Sequence, residues 1–120
     1  MGNKFKVIIA GGRDFDDYQM LENNCNHLLK DKFPDIEIVS GKARGADRLG
    51  ERYAENYLLD VKEFPADWDI HGKAAGYIRN KQMGEYSDAL IAFWDMKSKG
   101  TKNMIDIMIG LNKPYRIVRY

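Results

Sequence analysis

Three short stretches combine glycine with cationic side chains where an apolar run gives way to a helical pattern: GGRDFD (11–16), SGKARGAD (40–47) and WDMKSKGT (94–101). Glycine lets the backbone approach a ligand closely, and a helix start offers free N–H groups and the positive end of its dipole. With Arg13 in the first stretch, Lys42 and Arg44 in the second, and Lys97 and Lys99 in the third, this pattern favours capture of a phosphate or pyrophosphate. Gly11, Gly12, Gly41, Gly45 and Gly100 are the candidate points of close approach, and Ser40 opens the second stretch. Asp14, Asp47 and Asp95 either orient a ribose hydroxyl, as acidic residues do in nucleotide sites, or cap turns and helices. Thr101 is expected to cap the helix that follows, and Trp68 and Trp94 are candidates for stacking on a base, with packing an equal alternative for Trp94 at the end of a core strand. Neither the P-loop pattern nor the dinucleotide fingerprint is present, because no GKS or GKT follows the loop and the first GG has no third glycine in register. The second stretch alone serves equally well as a turn and helix start with solvated cations, so the signal lies in the convergence of three glycine stretches.

That convergence depends on the elements. Apolar runs rich in Val and Ile, each followed by a turn signal and a 3.6-residue period, predict β/α units around a parallel sheet. The strands are expected at FKVIIA (5–10), IEIVS (36–40), VKEF (61–64), DALIAFW (88–94) and PYRIVRY (114–120). Helices are expected from about 17 to 30, over the stripe Ala46, Leu49, Gly50, Tyr53, Ala54 and Tyr57, from about 73 to 86, and after 101, with a polar connection at PADWDIHGKAAG. This describes a single 1–120 domain: an α/β, Rossmann-like, doubly wound parallel five-stranded sheet of order 3-2-1-4-5 in a three-layer sandwich. In such sheets the ligand crevice lies beyond the carboxyl ends of the strands at the reversal of order, where all three glycine stretches arrive. The turns around Gly12, Arg44 and Gly100 are thus expected to face one electropositive hollow, together with Arg79.

Arg79 is placed in the third helix on the stripe of Ala75, Ile78, Gln82, Met83 and Tyr86, where an apolar residue belongs. A cation on that face needs a partner, either an internal carboxylate such as Asp88 or Asp47 or a bidentate ligand phosphate. Asp67, Asp69 and His71 superficially resemble a metal cluster, but no second His or Cys set completes it, and the sequence calls for no metal or cofactor. Cys25 falls on the apolar stripe of the first helix and reads as a small buried hydrophobe, with His27 beside the stripe and partly exposed.

A net charge of +1 argues against duplex DNA or an anionic membrane as partner, and the lack of a basic stripe with interleaved aromatics argues against single-stranded nucleic acid. The amino terminus lacks the apolar run of a signal peptide or membrane span, and a single cysteine excludes an internal disulfide, so a cytoplasmic location is expected. Gly2 does not begin a myristoylation motif, since Lys6 stands where Ser or Thr is required.

The blocks IIAGGRDF, SGKARGADRLGERYA, FPADWDIHGKAAGYIRNKQM, SDALIAFWD and KGTKNMID, in that order, resemble the YspA/YpsA-related branch of the SLOG superfamily, which includes the Smf/DprA and "lonely guy" proteins. The resemblance runs from Val7 to about Leu111 and implies a Rossmann-like domain that binds nucleotides or nucleotide-derived ligands, in a fold that often dimerises through helices near the site. The "lonely guy" enzymes are phosphoribohydrolases. Their functional arginine falls on Arg79, their methionine on Met83, their strand on 88–92 and their phosphate-binding Gly-Thr on Gly100 and Thr101. The departures are Asn80 in place of a lysine, WDMKSK in place of PGG, and Met104 in place of the glutamate that supports catalysis. Met104 neither activates water nor stabilises a developing cation, so the phosphate pocket survives the comparison better than the chemistry. The expected function is therefore binding of a nucleotide or nucleotide-derived small molecule, for sensing or sequestration. The alternatives are an N-glycosidase or phosphoribohydrolase, with Asp95 or Asp106 replacing the missing glutamate, and single-stranded nucleic-acid binding.

Overall fold

The computed structural model describes residues 3–120; Gly2 lies outside the described residues. The strands are β1 (Phe5–Gly11), β2 (Ile36–Ser40), β3 (Asp60–Glu63), β4 (Ala89–Trp94) and β5 (Tyr115–Arg119). The helices are α1 (Tyr18–Leu28), α2 (Ala46–Asn56), α3 (Trp68–His71), α4 (Ala75–Tyr86) and α5 (Lys99–Gly110). All four strand pairings are parallel, and the order is β3-β2-β1-β4-β5, as the sequence predicts.

Successive residues of β1 face opposite layers. Val7 and Ile9 join Ile36, Ile38, Ile91 and Phe93 in a core against α1 and α2. Ile8 and Ala10 join Val39, Leu90 and Ala92 in a second core with Met83 of α4 and Met104 and Met108 of α5. A strand buried on both faces has no polar alternation, which is why FKVIIA and ALIAFW read as unbroken apolar runs. Cys25 is fully buried in the first core, and burial pushes its thiol up to about 12.

Two expectations need correction. The polar connection after β3 is not all loop: Asp67 accepts from the Ile70 N–H and starts the single turn of α3, and a 3₁₀ turn over Gly72–Ala74 leads into α4. The buried face of α4 is also rotated from the expected stripe. Gln82 is exposed, and Ala75, Asn80, Met83 and Gly84 are the buried positions. Gly84 permits close contact with α5, since a methyl group there would lie 2.6 Å from Ile107 Cγ2.

Gly50 sets how closely α2 lies on the sheet, because a Cβ there would sit 2.9 Å from both Cβ and Cγ2 of Ile9. The Gly50→Ala change should therefore destabilise, with overpacking of about 1–3 kcal/mol outweighing a helix-propensity gain of about 1 kcal/mol. Gly110→Ala, which meets nothing within 4 Å, should be neutral or stabilising. Urea denaturation of the two variants reads the contrast.

Candidate functional site

A cleft of about 410 Å³ opens at the reversal of strand order, beyond the carboxyl ends of β1 and β4. Gly11, Gly12, Arg13 and Asp14 line it from the loop after β1, and Ala43 and Asp47 from the entry to α2. Arg79, Asn80 and Met83 of α4 form one wall; Asp95, Ser98, Gly100, Thr101 and Met104 form another. Two helix N-termini therefore border the cleft. Gly45, the residue before α2, makes no side-chain cap, whereas Ser98 caps α5 by accepting from the Thr101 N–H at 3.4 Å.

Arg79 is half-buried in this wall. Its Nη1 donates to the Gly41 carbonyl and its Nε to Asn80 Oδ1 at 2.9 Å. Among the described residues no carboxylate lies within ion-pairing distance of it. Asp88 is engaged elsewhere, accepting from the Lys6 N–H at 2.9 Å. Asp47 is the near neighbour: a Cβ added to Gly41 would lie 2.7 Å from Arg79 Nη1 and 2.9 Å from Asp47 Oδ2, so both side chains crowd one Cα. Asn80 holds the arrangement from behind. Its Nδ2 donates to Asn103 Oδ1 at 2.9 Å and to the Gly100 carbonyl at 3.3 Å, tying Arg79 to the start of α5.

The two central charges perturb each other in the directions their burial dictates. Asp47 is 5% exposed, and desolvation raises its carboxyl to about 6, against the opposing pull of Arg79 and an N–H from Ala43 at 3.3 Å. Burial lowers Arg79, and Asp47 offsets part of that effect. Asp95 is the opposite case. It accepts from the N–H groups of Ser98 and Lys97, each at 2.8 Å, and these hold its carboxyl below the ordinary range.

Several expected ligand contacts have other work. Ser40 is fully buried and donates to Glu51 at 2.6 Å. The Lys42 ammonium is 3.1 Å from both Glu51 and Glu63, so it is neutralised outside the cleft. Gly45 has φ +77, and a Cβ there would lie 2.2 Å from the Gly12 carbonyl oxygen, so this glycine serves the chain's own packing. Gly41, likewise, makes room for Arg79 and Asp47. Gly100 alone of the predicted contact glycines meets nothing within 4 Å. Trp94 donates from Nε1 to the Ser98 carbonyl at 3.0 Å and packs against the second core. Thr101 lies inside α5, 4% exposed, with Oγ1 3.0 Å from Ser98 Oγ, and the cap expected of it belongs to Ser98. Arg44 is exposed and borders a neighbouring recess, and the cleft itself sets two guanidinium groups against three carboxylates, so it is not uniformly electropositive. Sequence reasoning misses Tyr120, whose hydroxyl donates to Asp14 at 2.6 Å and would collide with any side chain at Gly12. No local pattern marks it, because its partners are about a hundred residues away in the chain.

A family model described as the YspA, cpYpsA-related SLOG family matches residues 5–71. The chain belongs to this family. The Gene 61 protein of Mycobacterium phage D29, a similar protein, is 32% identical over 104 residues, covering 82% of this chain and 83% of its own length. Among solved structures, DNA processing protein A from Streptococcus pneumoniae superposes with a TM-score of 0.75 at 14% identity, over 96% of this chain and 50% of that protein. The Helicobacter pylori protein of the same name, whose structure was described for its single-stranded DNA binding mode, superposes with a TM-score of 0.70 at 20% identity, over 96% of this chain. This chain spans half the length of the first and 65% of the second, and the likeness at these identities is one of fold.

Within the SLOG fold, the segment matched by the family model brings the Gly12 and Ala43–Asp47 walls of the cleft. Arg79, Gly100 and Met104 come from beyond it. Met104 lines the cleft at 1% exposure, so the start of α5 presents an apolar, non-titratable side chain to this wall.

Asp47 gives the site a pH signature. Its folded carboxyl takes up a proton near pH 6 and its unfolded one near 3.8, so the native state gains stability as pH falls through that window and loses it as pH rises through 6. Asp95, already depressed, stays ionised through the upper part of the window. Between about pH 7 and about pH 5 the gain from Asp47 should be on the order of 1 kcal/mol, and Asp47→Asn should flatten that segment of the stability profile in chemical denaturation.

Proposed function

We propose that this SLOG protein binds a nucleotide or nucleotide-derived small molecule in the cleft, as a sensor or a sequestering protein. The observation that carries the reading is Arg79: a half-buried guanidinium, fixed by a carbonyl and an amide and, among the described residues, by no carboxylate within ion-pairing distance, beside an open volume at two helix N-termini. A buried cation held this way is stabilised by an anion, and two oxygens of one phosphate supply both the charge and the pair of acceptors that the planar guanidinium fork engages. Gly100 and the first turn of α5 offer the phosphate a backbone approach, with Arg13 at the rim. Asp14, held by Tyr120, and Asp95, held by its own turn, present fixed acceptors to ribose hydroxyls.

A second reading, hydrolysis of a nucleotide N-glycosidic bond, draws support from one feature. Asp47 is a carboxyl with a raised pKa lining the same cleft, the kind of group that general acid–base chemistry uses. With Met104 apolar, Asp47 would have to act without the glutamate partner of the related phosphoribohydrolases. The fold likeness to the Helicobacter pylori protein brings single-stranded DNA into consideration, against a net charge of +1.

A thermal-shift panel of the common ribonucleotides tests the first reading, because ligation raises apparent stability by mass action. At least one nucleotide should raise the midpoint, and Arg79→Ala should weaken its binding about tenfold or more, the scale of a lost charge-assisted contact. Release of free base or ribose phosphate in the same samples would move the conclusion to hydrolysis. Affinity for oligonucleotides that falls steeply with salt would move it to single strands. A panel without any shift would refute the proposal.

A further inference from the structure

Beside the cleft lies a second recess of about 260 Å³, and the two share Arg13, Ala43 and Arg79 as a common wall. Their linings differ in kind. The cleft carries Asp14, Asp47 and Asp95, whereas the recess carries no carboxylate and four cations, Arg13, Lys42, Arg44 and Arg79. Glu51 and Glu63 neutralise Lys42, but among the described residues Arg13, Arg44 and Arg79 have no ion-pair partner.

Trp68 closes the far side of the recess at 52% exposure. It is the first residue of α3, and the Asp67 cap fixes the turn that presents it. A Cβ at Gly76 would lie 3.6 Å from the Trp68 ring carbon Cη2 and 3.8 Å from Arg79 Nη2, so indole and guanidinium border one backbone position. An exposed indole next to unpaired guanidinium groups matches a flat aromatic ring joined to an anionic linker. Size points the same way. Ordinary small-molecule pockets run to roughly 300–1,000 Å³, so the recess is too small to be one by itself, and the cleft lies near the lower limit.

We infer that the ligand spans both hollows and is a dinucleotide, two nucleoside units joined by a pyrophosphate. One unit occupies the cleft, the bridge crosses the wall at Arg13 and Arg79, and the second base stacks on Trp68 with Arg44 beside its phosphate. The inference rests on the nucleotide reading of the cleft and extends it to a second subsite.

The experiment compares, by isothermal titration calorimetry, the four nucleoside monophosphates with the four symmetric 5′,5′-pyrophosphate-bridged dinucleotides, alongside a ten-nucleotide oligomer of each base. For at least one base the dinucleotide should bind about tenfold or more tightly than its monophosphate, the scale of one stacked base plus a phosphate contact. Trp68→Ala and Arg44→Gln should each remove most of that advantage and leave monophosphate affinity unchanged, and Trp68→Phe should restore stacking. Equal affinity for monophosphate and dinucleotide overturns the inference while the cleft reading stands. So does preferential, salt-sensitive binding of the oligomers, or a Trp68→Ala change that alters only the oligomeric state in size-exclusion chromatography. Failure of every nucleotide to bind in an Arg79-dependent way overturns both.

Discussion

The structure depends on one constraint: β1 must be buried on both faces while pairing in parallel on both edges. Parallel pairing forbids a tight turn, so each neighbouring strand is reached by a helical crossover, and right-handed crossovers to the two edges of β1 place α1 and α2 on one face and α4 and α5 on the other. The loops that leave β1 and β4 then diverge toward opposite layers, and the gap between them is the cleft. A Cβ at Gly11 would lie 2.2 Å from the Phe93 carbonyl oxygen, so the two strand ends stay close beneath the opening loops. The position of the site follows from the sheet, and its chemistry from what the loops carry into the gap.

The loops bring in two charges that the fold does not pair closely. Asp47 and Arg79 both pack against Gly41, each inside the range where desolvation disfavours its charged form, and they perturb each other without reaching ion-pair distance. A stabilising arrangement would bring them together, because separated buried charges give up much of the attraction that offsets desolvation. Instead Arg79 is clamped by Gly41 and Asn80, and Asp47 by the Ala43 N–H. Holding opposite charges apart by hydrogen bonds to neutral groups is the arrangement expected where one of them serves an outside partner.

The sheet was legible because its information is local. Unbroken apolar runs gave β1 and β4, shorter Val- and Ile-containing stretches gave β2, β3 and β5, and handedness rules gave their order. The features that sequence reasoning missed are set by distant packing. Gln82 and Asn80 lie two residues apart on α4, and their exposure is decided by which side of the helix Gly84 and Met83 press against α5 and the sheet. Glycine was ambiguous for a related reason. Gly12, Gly41 and Gly45 look like openings for a ligand, yet each accommodates atoms of the protein itself: the Tyr120 hydroxyl, the Arg79 guanidinium and the Gly12 carbonyl. In each case the atom that excludes a side chain belongs to another segment of the chain, which no local window reveals.

Net charge is a poor guide to such a site, because neighbouring residues take opposite roles. Lys42 and Arg44 are two positions apart in one loop. Lys42, in the left-handed region at φ +63, turns its ammonium toward Glu51 and Glu63, and Arg44 remains exposed at the recess. The sum over the chain is close to zero, yet the loop sorts its cations into one that fixes the β2–α2 junction and one that is free for an anion. The carboxylates are sorted too, with Asp14, Asp47 and Asp95 on the cleft side of Arg79 and none among the residues lining the recess. Charge is therefore segregated across a single guanidinium, although the chain as a whole is nearly neutral, and such a local arrangement is invisible in the net charge.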